Sequence, residues 1–127
     1  MSAHWIKVCK TEDILPYSGV AALVFGRQVA IFRTKDEYYA LSDYDPFSGA
    51  YVLSRGIVGD RGGVLKVASP IYKQSFSLVT GECLDEPAIK LATYPVQVMD
   101  DVIYIGIENE KENRYTFQEA ITLRQST

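Results

Sequence analysis

The sequence predicts an all-β fold, a small sandwich or barrel, and three observations carry that expectation. Apolar and polar residues alternate in runs too short for helices. Turns rich in glycine and aspartate punctuate those runs at near-regular spacing. The 127 residues hold no internal repeat, low-complexity stretch or linker that would divide them, so a single core is expected.

The elements follow in order. Trp5-Ile6-Lys7-Val8-Cys9 alternates, with Trp5 and Lys7 on one face and Ile6 and Val8 on the other. Thr11-Glu12-Asp13 suits the start of a helical turn that Pro16 stops. Val20–Phe25 and Gln28–Arg33 read as a hairpin about Gly26-Arg27, where the glycine supplies the positive φ of a two-residue turn. Glu37-Tyr38-Tyr39-Ala40-Leu41 is an aromatic, β-favouring run. Val52–Gly59 is a glycine-punctuated connection, and Asp60-Arg61-Gly62-Gly63 turns the chain into the strand Val64–Ala68. Ser75–Val79 alternates, with Phe76 and Leu78 on one side, before Thr80-Gly81. Val96–Met99 and Val102–Ile107 make a last hairpin about Asp100-Asp101, residues that tolerate the left-handed turn. Residues 1–107 are therefore read as the β domain and 108–127 as a charged tail. Thr116-Phe117-Gln118-Glu119 has capping-box spacing, so 116–124 reads as a short helix with Ala120, Ile121 and Leu123 on its apolar face, or else as a frayed terminus.

Composition excludes several classes. Hydrophobic residues make up 47% and charged ones 23%, with a net charge of −3 and no basic patch, so nucleic acid is not an expected partner. No apolar run is long enough to span a membrane. Met1-Ser2-Ala3-His4-Trp5 lacks the regions of a signal peptide, and a cytoplasmic location is the expectation. Cys9 and Cys83 lie far apart without a CxxC pattern and read as buried or partly buried thiols, a disulfide being the alternative. His4 is the only imidazole, so no Ser/His/Asp or Cys/His constellation exists. No phosphate-cradling glycine loop appears. No catalytic residue is assigned. Asp43, Asp45, Asp60, Asp100 and Asp101 read as turn residues, a hard-cation site at Asp43 and Asp45 being the alternative.

Two proline-containing loops stand out, Asp45-Pro46-Phe47-Ser48-Gly49-Ala50 and Ser69-Pro70-Ile71-Tyr72-Lys73-Gln74. Pro46 and Pro70 preset φ, and Gly49 permits a tight bend. Around them cluster Tyr44, Phe47, Tyr51, Tyr72 and Lys73, aromatic rings with a cation, the composition of a protein interface. The alternative is that some of these rings fill space between the loops. Lys73 and Gln74 suggest polar contacts, and Arg55 and Arg61 read as solvated, with carboxylate pairing the alternative.

With Phe76-Ser77-Leu78 and Thr80-Gly81 following, these loops resemble those of Rieske domains, which read Cys-Pro-His and Cys-Pro-x-His before Phe-x-Leu and Thr-Gly. Asp45 and Ser69 stand where the cysteines would be, and Phe47 and Tyr72 where the histidines would be. The resemblance implies a Rieske-like fold without the cluster's ligands. A phenyl ring has no lone pair to give, and a hydroxyl and a carboxylate are hard, weak substitutes for thiolate. Tyr72 can bind ferric iron, yet a phenolate and a carboxylate do not rebuild the site. With no cluster to tie the loops, Phe47 and Tyr72 are expected to pack across the gap, with Asp45 and Ser69 hydrogen-bonding.

Ala40-Leu41, Asp45–Ala50, Val52–Asp60 and Val67–Gly81 narrow the resemblance to the small subunits of assimilatory NAD(P)H-dependent nitrite reductases, over about Trp5 to Ile107. It implies a large-subunit partner carrying FAD, a [4Fe–4S] cluster and sirohaem, which reduces nitrite to ammonium. This chain would be an accessory with no cofactor or metal of its own. A cluster-free interaction module serving another oxidoreductase is the alternative; a ferredoxin-like electron carrier would need the missing ligands.

Overall fold

The computed structural model describes residues 4–108. The sequence-predicted helix at 116–124 and nearly all of the charged tail lie outside the described residues. Twelve strands are formed: β1 (His4–Lys10), β2 (Ser18–Val24), β3 (Arg27–Arg33), β4 (Tyr38–Ser42), β5 (Tyr44–Asp45), β6 (Ala50–Tyr51), β7 (Ile57–Arg61), β8 (Val64–Ala68), β9 (Ser75–Ser77), β10 (Thr93–Tyr94), β11 (Val96–Met99) and β12 (Val102–Ile107). Two single 3₁₀ turns, Thr11–Asp13 and Leu53–Arg55, are the only helical elements among the described residues.

Every pairing between these strands is antiparallel. One sheet has the order β1-β12-β11, a second β10-β4-β3-β2 and a third β7-β8-β9, while β5 and β6 form a separate ribbon. The four-stranded sheet lies in the middle and divides the single core expected from the sequence into two. Val29, Ile31 and Ala40 on one face pack with Ile103, Ile105 and Ile107 of β12. Ala30, Phe32 and Leu41 on the other pack with Val58, Val67 and Phe76 of the third sheet. That is why Val29-Ala30-Ile31-Phe32 is an unbroken apolar run: all four are fully buried, two toward each core.

Three hairpins close on two-residue turns with both residues at positive φ: Phe25-Gly26 (50°, 78°), Gly62-Gly63 (59°, 88°) and Asp100-Asp101 (51°, 63°). This mirror-image turn matches the twist of the strands it joins. The first hairpin turns at Phe25-Gly26, one residue earlier than the sequence predicts, because Arg27 pairs with Val24. Phe25 holds its left-handed conformation with its ring edge-on to His4, at 5.5 Å between centroids. Thr11 does not cap the first 3₁₀ turn; the Asp13 carboxylate instead accepts the Lys10 N–H at 2.8 Å. Both cysteines are free thiols, Cys83 buried and Cys9 half-buried. No helix among the described residues is long and apolar enough to cross a membrane.

Candidate functional site

The two loops meet at one end of the molecule. The first spans the β5–β6 ribbon, where Tyr44 pairs with Tyr51 and Asp45 with Ala50. Gly49, at φ 76°, bends it so that its N–H reaches the Asp45 carbonyl at 2.7 Å. The second connects β8 to β9. It is closed by the Ser69 N–H on the Gln74 carbonyl (2.9 Å) and the Lys73 N–H on the Ser69 carbonyl (3.1 Å), with Lys73 at φ 64°.

Asp45 and Ser69 each cap their own loop, and then bond to each other. The Asp45 Oδ1 accepts the Phe47 N–H at 2.9 Å, and the Ser69 Oγ accepts the Ile71 N–H at 3.3 Å. These are the two-residues-on turns to which aspartate and serine are suited. Across the gap, the Ser69 hydroxyl donates to Asp45 Oδ2 at 2.5 Å, and the Ser48 hydroxyl donates to the same oxygen at 2.9 Å. Asp45 is completely buried and Ser69 nearly so. Burial alone would raise the Asp45 carboxyl, but hydrogen bonds from Ser69, the Phe47 N–H and Ser48 outweigh it and hold the acid below the usual carboxylate range.

The rings part company. Phe47 is half-buried against Phe76, 6.1 Å between centroids, whereas Tyr72 is 61% exposed. The expected packing of Phe47 on Tyr72 is therefore corrected: Phe76 gives Phe47 a buried partner within the core between the four-stranded sheet and the β7-β8-β9 sheet, and Tyr72 is left facing solvent. The hydrogen-bonding roles expected of Asp45 and Ser69 are both present.

These residues do not fit a [2Fe–2S] cluster. Two oxygens on one tetrahedral metal ion lie about 3.3–3.6 Å apart, given metal–oxygen bonds of about 2.0–2.2 Å. The Asp45 and Ser69 oxygens instead share a proton at 2.5 Å. Phe47 offers no donor atom. Among the described residues no group of three or more His, Cys, Asp or Glu could hold a metal ion. Asp43 does not join Asp45 in a cation pair: its Oδ1 takes the Ser54 N–H at 2.7 Å and its carbonyl takes the Leu53 N–H at 3.1 Å, anchoring the chain that leaves the first loop.

Of the five candidate interface residues, Tyr44 (37% exposed), Tyr51 (52%) and Tyr72 are exposed, as is Lys73, while Phe47 is half-buried. Tyr44 and Tyr51 tilt together at 5.1 Å across the ribbon. They wall an open groove of about 550 Å³ with Gly26, Arg27, Gln28, Ser42 and Tyr94. Gln74 turns inward, its Oε1 buried without a hydrogen-bond partner among the described residues.

For Arg61 the alternative reading, a carboxylate pair, is the one formed, and only its partner escaped the sequence. Arg61 is not simply solvated: its Nη1 pairs with Asp85 Oδ1 at 3.1 Å and its Nη2 donates to Ser75 Oγ at 3.2 Å. Asp85 also accepts the Ser75 N–H at 2.9 Å, and this bond, with Arg61, holds its carboxyl below the usual carboxylate range. Asp85 lies 24 residues from Arg61, and no local spacing signals the pairing.

Comparison with known proteins matches this geometry to its kin. The profile of the Rieske-like [2Fe–2S] domain matches residues 4–106. The chain is 44% identical over 105 residues to the nitrite reductase (NADH) small subunit of Salmonella typhimurium, covering 81% of this chain and 97% of that one. It belongs to the nitrite reductase small-subunit branch of the Rieske-like domain family. Within that family, the solution structure of the nitrite reductase [NAD(P)H] small subunit from Erwinia carotovora superposes with a TM-score of 0.71 at 47% identity, covering 82% of each chain. A stretch of the nitrite reductase [NAD(P)H] large subunit of Klebsiella oxytoca is 38% identical to 83% of this chain, although that stretch is only 11% of the larger protein.

Proposed function

We propose that this chain is the accessory small subunit of a cytoplasmic NAD(P)H-dependent nitrite reductase, without a catalytic centre of its own, docking on or stabilising the subunit that reduces nitrite to ammonium. FAD, a [4Fe–4S] cluster and sirohaem would reside in that partner. The observation that carries the reading is the Asp45–Ser69 hydrogen bond: it joins the two loops where thiolates would stand, and so keeps the tip's shape without a redox centre. The Klebsiella large subunit that contains a homologous stretch supports it too, since a domain fused to its partner in one protein is a domain that works beside that partner.

The docking surface we assign is the tip, with Tyr44, Tyr51, Tyr72 and Lys73 as exposed anchors and Phe47 as the ring that supports the first loop from beneath. The test is a pull-down from the native host with this chain as bait, read by visible spectroscopy. A colourless chain that captures a large partner with flavin and sirohaem absorption is the expected outcome. Capture of a different oxidoreductase would replace this reading with the generic interaction module.

A further inference from the structure

The outer edge of β2 is unlike the other sheet edges of the molecule. Edge strands present unpaired backbone groups, and proteins blunt them with charge, proline, bulges or brevity. β1 carries Lys7 and Lys10 and a bulge between Lys7 and Cys9. β7 carries Asp60 and Arg61, and β11 is four residues long and ends on Asp100-Asp101. β2, Ser-Gly-Val-Ala-Ala-Leu-Val, is seven residues long, pairs with β3 without a register shift, and has no charge and no proline.

The register says which groups are free. The Phe25-Gly26 turn closes on the pair Val24–Arg27, so Val24, Ala22 and Val20 exchange their hydrogen bonds with β3. The intervening Ala21 and Leu23 therefore aim their N–H and C=O groups away from the sheet. Among the described residues no backbone or side-chain hydrogen bond reaches them there. Leu23 is 51% exposed, beside a recess of about 310 Å³ lined by Ala21, Ala22, Leu23 and Gln28. Gln28 also lines the groove walled by Tyr44 and Tyr51, so the edge runs on into the tip surface.

We propose that this edge takes an extended, uncharged, apolar segment of the large-subunit partner as an added strand, its backbone pairing with Ala21 and Leu23 and an apolar side chain entering the recess beside Leu23. Alternate outward donors and acceptors are satisfied only by extended backbone, and a strand without charge offers nothing to a charged segment. A second copy of this chain would have only this seven-residue edge to pair through, whereas a stable interface takes roughly 1,200 Å². A segment already held at the adjoining tip binds the edge as an intramolecular event and needs little area. The inference rests on the small-subunit reading.

The test is amide hydrogen exchange of this chain, free and bound to the large nitrite reductase subunit, with binding measured for Ala21→Pro and Leu23→Lys. Ala21→Pro removes an N–H that β3 does not use, so its melting temperature and exchange pattern serve as the check that it folds. The expected result is protection of the Ala21 and Leu23 amides on binding, and affinity about tenfold or more weaker in both variants. Protection confined to the Phe47 and Lys73 loops would overturn the edge proposal and leave the small-subunit reading intact. Concentration-dependent protection at Ala21 in the free chain would assign the edge to a second copy. Failure to bind the large subunit at all would overturn both readings.

Discussion

Asp45 does two things with one carboxylate: Oδ1 fixes its own loop through the Phe47 N–H, and Oδ2 joins the second loop through Ser69. A buried carboxylate is costly unless its oxygens are satisfied, and here three donors meet them. Because folding lowers its pKa, the stabilisation is complete above the unfolded aspartate value of about 3.9 and drains away as pH falls through the lower folded value. Denaturant titrations from about pH 5 to about pH 3 should show stability falling along this limb, and Asp45→Asn should flatten it; an unchanged limb in the variant would assign the acid sensitivity elsewhere. Asp85 is shifted the same way but its side chain is 42% exposed, so solvent screening leaves it a minor contributor. Ser69→Ala should cost about 1.5–3 kcal/mol, the range for a hydrogen bond to a charged group. The two aromatic positions are expected to act independently. Phe47→Ala loses its contact with Phe76 and should cost about 1–3 kcal/mol, less than the roughly 3–5 of a fully buried ring. Tyr72→Ala, at an exposed position, should stay within about 0.5 kcal/mol. The double variant should add to within about 0.5 kcal/mol, and a coupling well above that would restore the direct ring pairing that the geometry denies.

At the scale of the elements, the turns carry a testable strain. Asp100 and Asp101 both sit at positive φ to close β11 onto β12, a conformation that costs an L-residue roughly 1–2 kcal/mol and that Asn-Gly adopts more readily. Asp100→Asn combined with Asp101→Gly should raise the melting temperature by about 4 °C or more, by analogy with the response of domains this small to roughly 1 kcal/mol; a lower melting temperature would mean the aspartates repay their strain elsewhere. These turns were legible in the sequence because glycine and aspartate mark left-handed positions. The Phe25-Gly26 register was off by one because nothing local shows that Arg27 pairs with Val24. The alternation of β1 and β9 was readable for the same reason that the inner strand β3 was not fully so: Val29–Phe32 face two cores, and an apolar run does not say what covers each side. At the site, both loops and the bonding of Asp45 and Ser69 followed from motif and chemistry. The partner of Phe47 did not, since Phe76 lies on the far side of the second loop in sequence and only the β8–β9 pairing brings it near.

At the scale of the whole molecule, the strands hold the two loops from separate places, one on the β5–β6 ribbon and one between β8 and β9, and each loop is closed by its own backbone bonds. What bridges them is therefore exchangeable in principle: the Asp45–Ser69 hydrogen bond occupies the position a metal cluster would fill, and it does not set the fold around it. This gives a test by reconstruction. The variant Asp45→Cys, Phe47→His, Ser69→Cys, Tyr72→His restores the two thiolates and two imidazoles that hold a Rieske centre. Reconstituted with iron and sulfide, it should take up a stoichiometric [2Fe–2S] cluster with the absorption and electron paramagnetic resonance of mixed Cys/His ligation, and should melt higher loaded than unloaded. The wild-type chain treated alongside should remain colourless. A three-position variant that keeps Phe47 should lose the mixed-ligation signature, because one iron then lacks an imidazole. A quadruple variant that folds but takes up no iron would show that the hydrogen-bonded loops have settled into a geometry of their own, in which the scaffold no longer presents four side chains to one cluster.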